Sequence, residues 1–420
     1  HYYGTGLVVD AKLGYVVVDR NTVPEAMGDV RITFAGSLEV PARVEFVHPL
    51  HNLALLSYDP ALLADTPVQS ARLNTAAPRP GDEMRVVGLR PNSALASQSA
   101  RVASIDPLVL PLSRTMRFRD SNLDVISLVN PPRNFDGALL DSRGSVTGLW
   151  SSFAFDTGTE VSQRNYGVPI ELVEEMLSVV TEGTPLYSLE VELQQLPLSA
   201  ARNFGLPDSW AARLSAHDPE RRQLLVVKRT VAGSPAAEQL QPGDLILAIA
   251  DRPVTRSREV ERSVQQATVN LTVWRNRAEQ RLAIQTVRLD GKGTQRAAMW
   301  SGALLQAPYR QMAAQRGIEP SGVYVAYQTY GSPASRYNLS AGARIVKVDG
   351  EPTPDLDRFL EVVGDKADRE AVRLNIVGLN DSRQVITLKL DKIYWPTWEI
   401  RFDGTWRTRL VGSNEAARVN

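Results

Sequence analysis

The chain has 420 residues, 43% of them hydrophobic and 22% charged, which is length for about three domains and an ordinary balance for domains that bury a core. Lys+Arg and Asp+Glu each number 47, so the formal net charge is zero and nothing selects nucleic acid or an anionic membrane surface as partner. The absence of Cys excludes thiol catalysis, disulfides and Cys-based metal sites, and no apolar run approaches the ~18 residues of a membrane span.

In chain order, residues 1 to about 75 alternate short β-branched runs with turn signals: Leu7 to Val9, a turn at Ala11 to Gly14, then Tyr15 to Val18, Val30 to Phe34, Val40 to Val47 and Leu53 to Ser57. Strands at that spacing predict a barrel or sandwich. A second barrel is predicted from about Arg79 to Phe155, its first strand, Glu83 to Gly88, introduced by the turn Pro80-Gly81-Asp82. Within it, Asn130 to Trp150 reads as two short strands joined by the turn Asp141-Ser142-Arg143-Gly144. Apolar residues at 170, 173, 176, 177 and 180 have helical spacing and predict an amphipathic helix over Glu171 to Val180.

After the linker Glu182-Gly183-Thr184-Pro185 comes an internal repeat, VVKRTVAGSPAAEQLQPGDLILAIADRPV at 226–254 and YVAYQTYGSPASRYNLSAGARIVKVDGEP at 324–352. Each copy holds a strand, a G-S-P-A turn, a short helix, a Gly, a second strand and a hairpin before Pro. From Gly233 to Gly331 the offset is 98 residues, the size of a small domain rather than of a solenoid unit. The tail from Lys392 carries Trp395, Trp398 and Trp406, which predicts an added strand or clasp packed on a neighbouring domain; from Ser413 it is polar and expected to fray. The expected domains are 1–181, 184–290 and 298–391, with an aromatic tail over 392–420. The chain opens on His1 with no signal peptide and no initiator Met, which reads as a fragment or a mature form that has lost its targeting segment.

Three stretches carry spaced motifs: GTGLVVDAKLGYVVVDRNTVP at 4–24, ARVEFVHPLHNLALLSYD at 42–59 and NPPRNFDGALL at 130–140. They resemble, in order, the segments of the HtrA/DegP family of trypsin-like serine proteases that hold the general base, the Asp orienting it, and the nucleophile in N-P-G-N-S-G-G-P-L-L-N. The repeats resemble PDZ domains of the HtrA type; the first keeps Gly243-Asp244 of the family pattern, and the second has Gly342-Ala343. The resemblance implies a mainly β fold, a trypsin-like double β-barrel followed by two α+β PDZ domains. DRNTVP, HPLHNLALLSYDP and KIYWPTWEI are further similar to the degenerate second half of duplicated HtrA-like proteases of fungi and some bacteria.

Laid on those patterns, with one extra residue near Pro132, the nucleophile position falls on Phe135, the base on Asn21 and the orienting Asp on Asn52. Acyl transfer needs a nucleophile, a base and a group that fixes the base's tautomer; none of the three residues can play its part, so no catalytic residue is expected. The former oxyanion loop is Arg133-Asn134. Arg133 stands where the family has Gly, which predicts a collapsed or blocked hole, with the Phe135 ring in the old nucleophile space. Ser142, Ser145 and Ser151 lie beyond the motif with no base in view. His1, His48, His51 and His217 read as surface or turn residues, and no metal or cofactor is expected.

By the same resemblance, peptide capture falls to the PDZ units, as an added strand with the terminal carboxylate on a loop. In the second unit the loop is Trp300-Ser301-Gly302-Ala303-Leu304 and the groove helix, Pro354 to Val363, contributes Phe359 and Val363. In the first the loop is Leu186-Tyr187-Ser188-Leu189 and the helix contributes Val260 and Val264. The expected function is a pseudoprotease module that binds unfolded polypeptides or protein C-termini and supports an attached or partner serine protease in protein quality control. The alternative is an active serine endopeptidase using other residues or an upstream catalytic half. An N-terminal active half of the same protein and a homotrimer, with Tyr2 and Tyr3 as contact candidates, complete the expected partners. The compartment is the periplasm for a bacterial source and the nucleus for a fungal one.

Overall fold

The structure is a computed structural model that describes residues 3–112, 118–156, 160–402 and 405–412; His1, Tyr2 and the tail from Ser413 lie outside the described residues. The chain forms two compact units, one ending at Gly293 and one beginning at Thr294. Strands predominate in both, and no described helix is long and apolar enough to cross a membrane.

In the first unit, β1 (Leu7–Asp10), β2 (Tyr15–Val18), β3 (Val30–Phe34), β4 (Leu38–Val47) and β5 (Ala54–Tyr58) form an antiparallel sheet in the order β1-β2-β5-β4-β3. The apolar runs of β2 and β5 are continuous because both of their faces are covered. Val16, Val18, Ala54 and Leu56 line one interior with Phe34 and Tyr58, while Val17 and Leu55 line another with Leu149, Phe153 and Val168. β6 (Glu83–Leu89), β7 (Leu95–Pro107), β8 (Asp124–Val129), β9 (Asp136–Leu140), β10 (Val146–Asp156) and β11 (Val161–Pro169) close a barrel in the order β10-β11-β8-β7-β6-β9. Gly88 and Gly137 are partners across β6 and β9, and a Cβ on Gly137 would sit 2.0 Å from the Val87 carbonyl oxygen. α1 (Glu171–Glu182) begins where its spacing predicts and runs two residues past Val180, to Gly183 in the left-handed region; it buries Leu172, Val173 and Met176.

The first repeat follows in the same unit. β12 (Leu186–Ser188) leads to β13 (Val191–Pro197), and two helices the repeat pattern does not contain, α2 (Leu198–Asn203) and α3 (Asp208–His217), precede β14 (Gln223–Thr230). The G-S-P-A turn becomes the start of α4 (Pro235–Gln239), with the Ser234 hydroxyl accepting from the Ala237 N–H and Pro235 in the first turn. Then come β15 (Leu245–Ile249), β16 (Arg252–Pro253), α5 (Ser257–Ser263), β17 (Thr268–Arg275), β18 (Ala278–Gln285) and β19 (Val287–Leu289). The main sheet runs β13-β14-β15-β17-β18, while β12 pairs with β19.

The second unit repeats the plan with additions. β20 (Arg296–Trp300) and β21 (Ala303–Gln306) form a hairpin, followed by α6 (Arg310–Arg316), β22 (Val323–Gln328) and α7 (Pro333–Arg336), which Ser332 caps as Ser234 caps α4. β23 (Arg344–Val348), β24 (Glu351–Pro352), α8 (Leu356–Gly364), β25 (Ala371–Val377) and β26 (Arg383–Lys389) complete the domain. α8 starts after Asp355, its N-cap, rather than at Pro354, because the Asp355 carboxylate takes the Arg358 N–H. The tail supplies β27 (Trp398–Phe402) and β28 (Trp406–Leu410), giving the sheet order β26-β25-β23-β22-β21-β20-β27-β28.

Candidate functional site

Asn21 follows β2 and Asn52 precedes β5, and both side chains reach Ser152 on β10. Asn21 Nδ2 donates to the Ser152 carbonyl oxygen at 2.5 Å and to its hydroxyl at 3.0 Å, and Asn52 Nδ2 donates to the same carbonyl at 2.7 Å. Asn52 Oδ1 accepts from the Arg20 N–H at 2.9 Å. Two of the three triad positions therefore converge, as amides satisfied by backbone. An amide nitrogen has no lone pair to take a proton near neutral pH, and an amide oxygen cannot orient an imidazole that is absent.

Phe135 is placed differently from the expectation. Its ring is buried in the interior of the closed barrel, with Met84, Ile126, Leu139 and Trp150 among its neighbours, because an aromatic side chain gains more from that core than from a solvated crevice. Arg133 and Asn134 are exposed, and Asn134 takes φ +68°, the left-handed region Asn tolerates. Beside Phe135, the Asp136 carboxyl is pushed up to about 6 by burial and by the nearby Asp19, against a hydrogen bond from Asn165. Asp19, the first residue of DRNTVP, accepts from the Ser152 N–H at 3.1 Å and hydroxyl at 3.2 Å. Ser151 is buried, and its hydroxyl faces the Leu149 carbonyl at 3.5 Å.

Two of the histidines correct the sequence reading, while His217 is at the surface as read and His1 lies outside the described residues. His48 and His51 are both buried, their rings 4.8 Å apart, because 48–52 is a bend tucked into the unit rather than a surface turn. His51 Nε2 lies 3.1 Å from Glu261 of α5, and its Nδ1 lies 3.9 Å from Asp120. Asp120 also accepts from the Asn52 N–H at 2.9 Å. Around this pair, Arg258 on α5 reaches Glu171 at 2.7 Å, Glu261 at 3.1 Å and Glu175, and Arg262 reaches Glu171. His217, half-exposed, pairs with Glu259 at 2.9 Å.

The segment 118–123, which carries Asp120 and leads into β8, lies along the edge of β13 in the first PDZ-type domain. Asn122 Nδ2 donates to the Val191 carbonyl at 2.7 Å and its Oδ1 accepts from the Leu193 N–H at 2.8 Å, so one side chain occupies two main-chain positions on the open edge of β13. Arg119 pairs with Glu192 between them at 2.8 Å. Tyr187, Ser188 and Leu189 do not form an open carboxylate loop: β12 pairs with β19, the Tyr187 N–H and carbonyl are both held by the Gln265 side chain at 2.9 Å, and Leu189 joins Val260 and Val264 in the core. Asn122 takes φ +60°. Asn122→Ala is therefore expected to lower the first unit's stability by about 1–2 kcal/mol, from two unpaired main-chain groups and a left-handed conformation Ala dislikes; an unshifted calorimetric transition would show the contact to be incidental.

In the second unit the expected carboxylate loop is a tight hairpin, with Trp300 paired to Ala303 and Ser301 and Gly302 at the turn, both at positive φ. β21, where a peptide strand would add through Leu304, is hydrogen-bonded on both sides, to β22 and to β20. Trp300, Ala303, Phe359 and Val363 do come together, as interior of the domain: the Trp300 and Phe359 rings meet edge-on at 5.3 Å. The strand that fills this position was not visible as such, since R-A-A-M-W has little alternation and its outer partner lies about a hundred residues on.

Residues 226–275 match the PDZ domain family and residues 293–369 the PDZ-like domain family. The chain is 36% identical over 453 residues to Protease Do-like 7 of Arabidopsis thaliana, covering 98% of this chain and 41% of that protein. It is 32% identical over 424 residues to Pro-apoptotic serine protease nma111 of Aspergillus niger, covering 96% and 41%. The solved HtrA-type protease AlgW with decapeptide superimposes with a TM-score of 0.47 at 20% identity, covering 68% of this chain and 82% of that one. Fold and site together define a mainly β chain that couples a trypsin-type scaffold to two PDZ domains. It is HtrA-like, a trypsin-fold protease chain with PDZ domains, as the motifs implied. The chain spans about two fifths, 41%, of the length of these curated relatives.

Proposed function

We propose that this chain is a non-catalytic HtrA-type module, a pseudoprotease that supports the assembly or regulation of a serine protease and holds polypeptide without cutting it. The observation that carries the reading is the Ser152 carbonyl shared by Asn21 and Asn52 while Phe135 lies in the barrel interior. The residues at the three triad positions supply no nucleophile and no base. Relatives named serine proteases are more than twice as long as the segment matched here, which leaves room in such a protein for a catalytic half. Its compartment follows that protein: the periplasm for a bacterial source, the nucleus for a fungal one. Tyr3 is exposed and stays the candidate contact for a homotrimer; Tyr2 lies outside the described residues.

The test is incubation of the purified chain with unfolded casein and with a fluorophosphonate probe. The expected result is no labelled serine, intact casein and slower casein aggregation. A labelled serine, at Ser142, Ser145, Ser151 or elsewhere, overturns the non-catalytic reading and restores the endopeptidase alternative.

A further inference from the structure

Strand addition to a PDZ-type sheet needs an edge with unpaired main-chain groups beside the groove helix. In the second unit that place is taken from within. β20 lies against β21 on one side, its Trp300 ring against Phe359 of α8 and its Arg296 2.6 Å from Asp357 at the start of α8. Because β20 is joined to β21 by a two-residue turn, a free peptide competes against a strand held at very high effective concentration. The sheet continues outward through β27 and ends at β28, whose one neighbour among the described strands is β27.

We propose that the second unit takes an extended acidic segment, alternating carboxylate and apolar side chains, by strand addition on the outer edge of β28. All five residues of β28 are exposed, it has no Pro, and its register with β27 is unbroken, so proline and bulges do not blunt this edge and its charges, Arg407 and Arg409, are what guard it. Its alternation sorts its side chains onto two faces. Trp406 and Leu410 continue an apolar shelf with Phe402 and Trp398, to which they are paired. On the other face Arg407 pairs with Arg401, and Arg409 pairs with Glu399, which Arg296 also contacts. The three outer strands β20, β27 and β28 carry four Arg and one Glu. That charge selects the occupant. A second copy pairing antiparallel about Thr408 would set Arg407 opposite Arg409 twice, and like charges directly opposite are destabilising. A partner with Glu or Asp at those positions gains where the copy loses, while its alternate apolar side chains cover the Trp406–Leu410 shelf.

This deepens the polypeptide-holding role proposed above, and the two fail separately: cleavage of casein would overturn that role and leave binding at β28 untouched. The probe is a short fluorescein-labelled peptide alternating Glu and Val, amidated at its C-terminus, titrated with the whole chain by fluorescence anisotropy against its Lys–Val counterpart. The acidic peptide is expected to bind, to weaken with added salt, and to bind no tighter as the free acid, since an internal strand needs no terminal carboxylate. Arg407→Glu is expected to weaken it roughly tenfold or more and to admit the Lys–Val peptide, with Arg407→Gln, the gentler change, in between. A requirement for the free carboxylate, equal binding of both peptides, or concentration-dependent dimers with no peptide bound would each overturn the proposal.

Discussion

His51→Ala is expected to cost the first unit about 3 kcal/mol, the low end of what breaking a buried ion pair costs, and to remove the part of its pH dependence that His51 contributes, leaving that of the buried carboxyls Asp120 and Asp136. The low end applies because Glu261 keeps Arg258 at 3.1 Å when the imidazole is gone. The pH dependence follows from three groups that face one another across protease scaffold and PDZ domain. Burial by itself would push the His51 pKa down, but Glu261 beside it and Asp120 behind it outweigh both burial and Arg258, and hold it above 6.5. Its contribution is present in full below 6.5 and is lost as pH rises through the folded value. Glu261, despite burial, is held below 4.5 by His51 and Arg258, so its contribution is present above 4.5 and is lost in acid. Asp120, pushed up from 3.8 to about 6 by burial against the pull of His51, adds a penalty that grows over that interval and is constant above it. All three place the wild-type optimum on the acid side of neutrality. Calorimetry at pH 5.5 and 8 should give the wild-type unit the higher transition at 5.5, with His51→Gln changing the size of the difference while Asp120 and Asp136 keep part of it; equal transitions for wild type would overturn the assignment of a charged His51.

The outline of the fold was readable because it rests on local signals. Ser234-Pro235 and Ser332-Pro333 each place a capping hydroxyl and a first-turn proline next to one another in sequence, and each starts a helix. The apolar spacing 170, 173, 176 needed no partner to predict α1. The tryptophans of the tail marked an added strand, and Trp398 and Trp406 do lie on β27 and β28.

What stayed hidden depends on pairings between distant residues. His51 reads from sequence as a surface or turn residue; the bend it lies on is buried instead, and its partner Glu261 sits about two hundred residues away. Asn122 is one polar residue in a loop, with no motif to tell that its amide would stand in for a strand against β13. β20 held the groove of the second PDZ unit for the same reason. Its fit depends on α8 and β27, which lie sixty to a hundred residues further along.

Rebuilding the triad as Asn21→His, Asn52→Asp and Phe135→Ser is expected to yield a chain that is much less stable and still unlabelled by fluorophosphonate. The largest loss falls on position 135. Removing a buried phenyl ring costs about 3–5 kcal/mol through lost transfer energy and the cavity left behind, and Ser adds a hydroxyl among Met84, Ile126, Leu139 and Trp150, which offer mostly apolar contact. At position 52 a carboxylate would present an oxygen where Nδ2 now donates to the Ser152 carbonyl, turning a hydrogen bond into a repulsion of about 1–3 kcal/mol. A backbone that keeps Arg133 in place of Gly gives no reason for the hole to form around the new hydroxyl. Phe135→Ala alone isolates the first effect: urea unfolding should show the loss in midpoint with little change in slope. A loss below about 0.5 kcal/mol, within the range of ordinary surface substitutions, would mean that the ring is not part of the barrel interior and that the position remained free to regain a nucleophile.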